Sequence, residues 1–191
     1  MSFMVSRPGL GLIALIAALF CGCHTPARHR SDERHAERTI RSNAYSLLYQ
    51  LLSQQKNVGL LLVIKSEGDR INAVVREIAR DSTRGARLIE EFAAEDETLL
   101  LDDTWLPPAE SAAREVLADA MRRDLLRENG KSFEFHLLIA QSQALPYAAA
   151  LAEVAAGHES RPSRANALRE LGAGMRQHHQ EVLTLLQSAG R

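Results

Sequence analysis

Arg70-Ile-Asn-Ala-Val-Val-Arg-Glu-Ile-Ala-Arg-Asp-Ser-Thr-Arg-Gly-Ala-Arg-Leu-Ile-Glu-Glu-Phe-Ala-Ala-Glu95 is the stretch that decides the fold class. Ile71, Val75, Ile78, Ser82, Gly85, Ile89 and Phe92 recur at steps of 4, 3, 4, 3, 4 and 3, the seam of a long helix packed lengthwise on other helices. Val74, Leu88 and Ala93 widen the seam into a core-facing stripe, while Arg76, Glu77, Arg80, Arg84, Arg87 and Glu90 occupy the other side. Ser82 and Gly85 stand where Leu or Ile is usual, so a neighbour must come close there or meet something small and slightly polar.

Working outward, the same period continues on both sides. Ala44, Leu47, Leu48, Leu51, Leu52, Val58, Leu61 and Leu62 predict a preceding helix over about 44–65. The short link 66–69 makes it an antiparallel neighbour of the first stretch. Residues 96–108 have no helical period. Leu99-Leu100-Leu101 and Trp105-Leu106 are expected to cap one end of a bundle, and Glu95, Asp96, Glu97, Asp102 and Asp103 to form a solvated acidic surface. Their spacing is not that of a helix-loop-helix calcium site. Pro107-Pro108 then opens a helix over about 109–128, with Ala113, Val116, Leu117, Ala120, Met121 and Leu125 inward and Asn129-Gly130 as its stop. A fourth helix follows over about 131–156, striped by Phe133, Leu137, Ala140, Ala144, Tyr147, Leu151 and Ala155, with Pro146 expected to kink or break it. The last helix runs from Pro162 to about Ser188 on Leu168, Leu171, Met175, His178, Val182 and Leu185. The expectation is an all-α bundle of four to five helices, with low aromatic content (5%) favouring helix over sheet.

The N-terminus reads as an address. Leu10 to Phe20 is an apolar run of signal-peptide length, too short to span a bilayer comfortably. Cys21-Gly22-Cys23 follows and resembles a bacterial lipobox, with Cys23 as the lipidated residue because Gly22 before it is small, whereas Phe20 before Cys21 is bulky. Each buried methylene of an acyl chain contributes about 0.8 kcal/mol to anchoring. His24, rather than Asp, after the cysteine points to the outer membrane. Residues 1–22 are thus expected to be a lipoprotein signal peptide, 23–43 the lipidated cysteine and a polar tether, and 44–191 the bundle. The alternatives are an ordinary secretory signal or an uncleaved anchor. With both cysteines at positions 21 and 23, no disulfide or thiolate zinc site can form beyond them. The formal net charge of -1 argues against nucleic acid as a partner.

Chemistry-bearing residues are few. Gln55, Ser82 and His178 fall near the middle of three predicted helices and are expected to share a core polar layer, with Ser82 and Gln55 as hydrogen-bond partners of the imidazole. The competing reading makes His178 a metal ligand with nearby carboxylates. The paired Glu and Glu-x-x-His motifs of di-metal bundles do not occur, and His24, His29 and His35 in the tether match no common metal spacing. Nucleophile-elbow and phosphate-loop motifs are also missing, so no catalytic residue or resident cofactor is expected.

Three stretches carry a family resemblance: Ile78-Ala79-Arg80-Asp81-Ser82-Thr83, Phe133-Glu134, and Leu171 to His178. Over about 44–186 the chain resembles a ferritin-like domain family, of undefined function, found in bacterial exported proteins. The resemblance implies a ferritin-like up-down bundle in the cell envelope and little chemistry. Family members carry Asp-His-Thr where this chain has Asp81-Ser82-Thr83, and often a His where it has Leu145; His178 matches the third histidine. The expected function is therefore a non-catalytic envelope lipoprotein, a structural or interaction module held to the membrane by its lipid and serving an envelope protein partner. The alternatives are a metal-binding or redox bundle centred on His178, and a helical sensor or partner-binding domain with an apolar groove near Trp105 and Leu99–Leu101.

Overall fold

The computed structural model describes residues 26–55, 69–102 and 105–189. The apolar run, Cys23, the segment expected to complete the first helix and its turn, and Asp103 lie outside them. The chain falls into two units, Met1–Arg34 and His35–Arg191. The second contains every core contact described below, as an independently folding domain requires.

Five helices and no strand are present among the described residues: α1 (Pro26–Gln55), α2 (Asp69–Ala94), α3 (Pro108–Arg127), α4 (Gly130–Gly157) and α5 (Pro162–Ala189). None of them is long and apolar enough to cross a membrane. The all-α bundle expected from the sequence is what forms.

Four helices build the core, and their directions follow from which residues meet. Arg41 reaches Asp96 and Tyr49 reaches Glu90, so α1 and α2 are antiparallel. Gln55 meets Gln141 while Tyr45 meets Glu159 at the far end of α4, so α1 and α4 are antiparallel too. Glu95 meets Arg164 and Asp81 meets His178, which sets α5 against α2 in the same way. Taken in chain order, α1, α2, α4 and α5 run up, down, down, up. The connection between α2 and α4 is long and contains α3.

The seam of α2 is buried as its spacing predicts, at Val75, Ile78, Ser82, Gly85 and Ile89, with Ala86 beside it. Gly85 is small because a Cβ there would lie 2.8 Å from Leu171 Cδ1 and 3.0 Å from Leu52 Cδ1. The α5 seam is likewise inward at Leu168, Met175, His178, Val182 and Leu185. The α4–α5 hairpin packs closely because its contact is made of small residues. A Cβ on Gly172 would come within 3.3 Å of the Ala149 carbonyl and of Ala152 Cβ.

Several expectations are corrected. α1 begins at Pro26, well before residue 44, and the end of the expected tether belongs to the bundle: Ser42 is buried and Arg41 is bonded across it. α4 runs unbroken through Pro146. That ring sits on an exposed position, and buried Leu145, Ala148, Ala149, Leu151 and Ala152 flank it, so packing outweighs the lost backbone bond. Tyr147, expected inward, is exposed. Asn129-Gly130 opens α4 rather than closing α3: Glu128 is the C-cap, and Gly130 turns the chain at φ 56°. The largest departure is α3, none of whose residues is buried. Val116 and Leu117, expected inward, are 68% and 61% exposed.

Candidate functional site

His178 sits at the α2–α5 contact, buried as its place in an apolar seam requires. Its partners are not those expected. Nε2 lies 2.9 Å from Asp81 Oδ2, and Nδ1 lies 3.4 Å from Glu181 Oε2, one helical turn along α5. A neutral ring donates to one of these carboxylates; a protonated ring donates to both. Arg84 donates to the other oxygen of Asp81 at 2.6 Å, so the chain of contacts runs Arg84–Asp81–His178–Glu181. Asp81 was missed as a partner: its place next to Ser82 puts it at the edge of the α2 stripe, but only the packing of α5 against that edge brings His178 to it.

Gln55 is buried but pairs elsewhere: Gln141 Nε2 donates to Gln55 Oε1 at 2.8 Å. Ser82 is fully buried, and its hydroxyl makes no hydrogen bond. The three residues therefore do not bond to one another. The reason is geometric: Gln55 on α1 turns toward α4, whereas His178 on α5 turns toward the outer edge of α2. For a metal the arrangement is poor. The two carboxylates occupy opposite ring nitrogens, leaving no point that all three groups share, and among the described residues no group of three or more His, Cys, Asp or Glu side chains could hold a metal ion.

A second polar cluster closes one end of the bundle. Arg41 donates to Asp96 Oδ2 at 2.9 Å and to Thr98 Oγ1 at 2.7 Å, and its guanidinium lies 3.6 Å from Glu159. Tyr45 donates to Glu159 Oε2 at 2.7 Å, and the Arg161 amide donates to Oε1 at 3.0 Å. Buried Arg164 donates to Glu95 at 2.8 Å and lies over the Phe92 ring at 4.9 Å. The solvated acidic surface expected at Glu95–Glu97 is thus in part a clamp joining α1, the α2–α3 connection and the start of α5. Burial pushes the Glu159 carboxyl up, but the Tyr45 hydroxyl, the Arg161 amide and the Arg41 and Arg164 guanidiniums outweigh it and hold it below the usual range. Asp96 behaves alike: burial raises it, and Thr98 with Arg41 brings it below its ordinary value. Tyr45 is pushed up by burial and by the adjacent Glu159 carboxylate.

The remaining feature is a groove of about 730 Å³ between α3, α1 and α4. Its walls are aliphatic: Leu51, Leu117, Met121, Leu125 and Leu137. The Gln55–Gln141 pair lies along it, and Arg114, Arg122 and Tyr147 also line it. Arg114 is held by Tyr147, whose hydroxyl accepts from NH1 at 3.0 Å, and by Glu110 at 2.7 Å. The volume is within the roughly 300–1,000 Å³ of ordinary ligand pockets. Among the described residues, the apolar groove lies here and not near Trp105 and Leu99–Leu101, where it was expected. Leu99 is buried in the core, Leu101 packs against it, and Trp105 is exposed at φ 51° on the approach to α3. A period-3.6 pattern on α3 was the one sequence signal for the true groove, but it could not say that the stripe faces a hollow rather than a core. Comparison with protein-family models, with curated proteins and with solved structures finds no significant match for this chain.

Proposed function

We propose that this chain is a lipid-anchored, non-catalytic binding bundle of the bacterial cell envelope, held at Cys23 and facing the periplasm, with the α1–α3–α4 groove as its receiving site. One observation carries the reading. A helix with an apolar stripe buries none of its residues, yet lies beside an aliphatic hollow of about 730 Å³. An apolar surface left out of a core is characteristic of binding faces. The up-down-down-up order, with a long connection between α2 and α4, supports a ferritin-like arrangement. His178 is turned to Asp81 and Glu181 rather than to Ser82, so no nucleophile–base pair forms around it among the described residues.

The test uses the chain from His24 onward, which includes the whole second unit, and Nile red as a neutral probe of apolar sites. Saturable fluorescence enhancement is expected, lost in Met121→Glu with an unchanged melting temperature, because Met121 lines the groove and is not buried in the core. No saturable binding by the unaltered domain sinks the proposal. The anchor is tested separately in cells: Cys23→Ser is expected to move the protein out of membrane fractions, and retention there would mean that the apolar run is itself the anchor.

A further inference from the structure

We infer that the groove takes a single alkyl chain ending in a carboxylate, with the acid group at Arg114 and the chain lying along α3. This rests on the binding-bundle reading above and specifies its ligand class. The groove is elongated: from Arg114 to Leu125 the helix rises about 17 Å at roughly 1.5 Å per residue. Its walls over that length include Leu117, Met121, Leu125 and Leu137, aliphatic surface beside the Gln54, Gln55, Gln141 and Gln143 side chains and without an aromatic face on which a planar ring would stack. Tyr147, the aromatic residue of the lining, is at the Arg114 end and already engaged with that guanidinium, 5.5 Å from ring centroid to Arg114 Cζ. Arg114 with Tyr147 therefore marks one end of the groove, and Leu125 and Leu126 the other, with Arg122 between them.

Charge complementarity selects the head group. Arg114 already binds one carboxylate, Glu110, at 2.7 Å. Both partners of that pair are about half exposed, and they stand four residues apart on one helix, an arrangement worth only about 0.2–0.5 kcal/mol. A ligand carboxylate entering from the groove can replace Glu110 on the same planar guanidinium at little cost, keeping the geometry the residue is built for. Arg122, also on the groove, is paired on its own helix with Asp119 at 2.7 Å and adds a second cation along the path. The chain's own acyl groups, if Cys23 is lipidated, supply alkyl chains without a free carboxylate, so dependence on the acid group separates the two sources.

The experiment is displacement of Nile red from the His24-onward chain by laurate and by methyl laurate, both below their aggregation concentrations, repeated with Arg114→Ala. Laurate is expected to displace the dye about tenfold more effectively than its ester, and Arg114→Ala to abolish that preference. Circular dichroism of the variant checks that α3 is intact, as expected for a half-buried position on a helix that buries no residue. Equal displacement by acid and ester, or a preference that survives in Arg114→Ala, overturns this inference while the binding reading stands. Failure of Nile red to bind the unaltered chain overturns both.

Discussion

Helices α3 and α4 are joined by two residues, but α4 carries three charged residues in 28 and α3 eight in 20, and only α4 is built into the core. α4 buries twelve residues, from Phe133 to Ala156, whereas α3 buries none. Beyond composition, the two stripes meet different neighbours. α4 faces α5 across small residues, with Ala149 and Ala152 against Gly172, so the backbones approach and each methyl finds neighbours. α3 instead touches the rest through isolated contacts, Leu125 against the Val75–Phe133–Leu137 cluster and Arg114 against Tyr147. A helix can therefore carry a row of apolar residues at helical spacing and still leave that row outside the core.

The comparison breaks most easily in stability measurements. Leu138→Ala, in the fully buried part of α4, is expected to cost about 2–5 kcal/mol in urea denaturation, and Leu117→Ala on α3 less than about 0.5 kcal/mol. Similar losses for the two would mean that α3 belongs to the core after all.

Acid sharpens the comparison next, because the end clamp ties α1 and α5 together without involving α3. Glu159 and Asp96 have carboxyls held below their usual range in the folded protein. Their contribution is complete above the unfolded values of about 4.3 and 3.9, and is lost as the pH falls through the lower folded values. Their part of the stability is thus expected to fall away below about pH 4. Arg41→Met, which removes a guanidinium bonded to Asp96 and Thr98, should cost about 2 kcal/mol at pH 7 and flatten the acid limb. An unchanged acid limb in the variant would remove Arg41 from the account.

The smallest effect concerns an imperfection within the packed region. The Ser82 hydroxyl is buried without a partner, so Ser82→Ala is expected to raise stability by about 1 kcal/mol, read as a higher melting temperature. A loss instead would show that the hydroxyl is satisfied in solution, for example by a buried water.

Much of the scaffold was legible because helical periodicity is local. The α2 and α5 seams lie inward where spacing places them, Gly85 meets the close neighbours that a glycine in a seam implies, and Pro108 opens α3. The site was less legible. That Gln55, Ser82 and His178 are buried follows from their places in apolar rows, but their bonds do not. Gln55 could turn to any helix around it, and the rotation of α1 sends it to Gln141; the rotation of α5 sends His178 to Asp81 and Glu181. Likewise the acidic residues after α2 read as solvated surface, because Arg41 and Arg164 are 55 and 69 residues away in sequence from the carboxylates they bind.

By itself, the sequence determined that this protein is all-α and which face of α2 and α5 turns inward, since a repeat of 3 and 4 residues commits an α-helix to one apolar side whatever surrounds it. Only the tertiary structure decided what each side meets. It closed the α4–α5 hairpin on alanines and a glycine, turned the buried polar groups to separate partners, and left the stripe of α3 beside a hollow. A periodic pattern specifies a direction on a helix, whereas burial depends on whether another surface of matching shape arrives there.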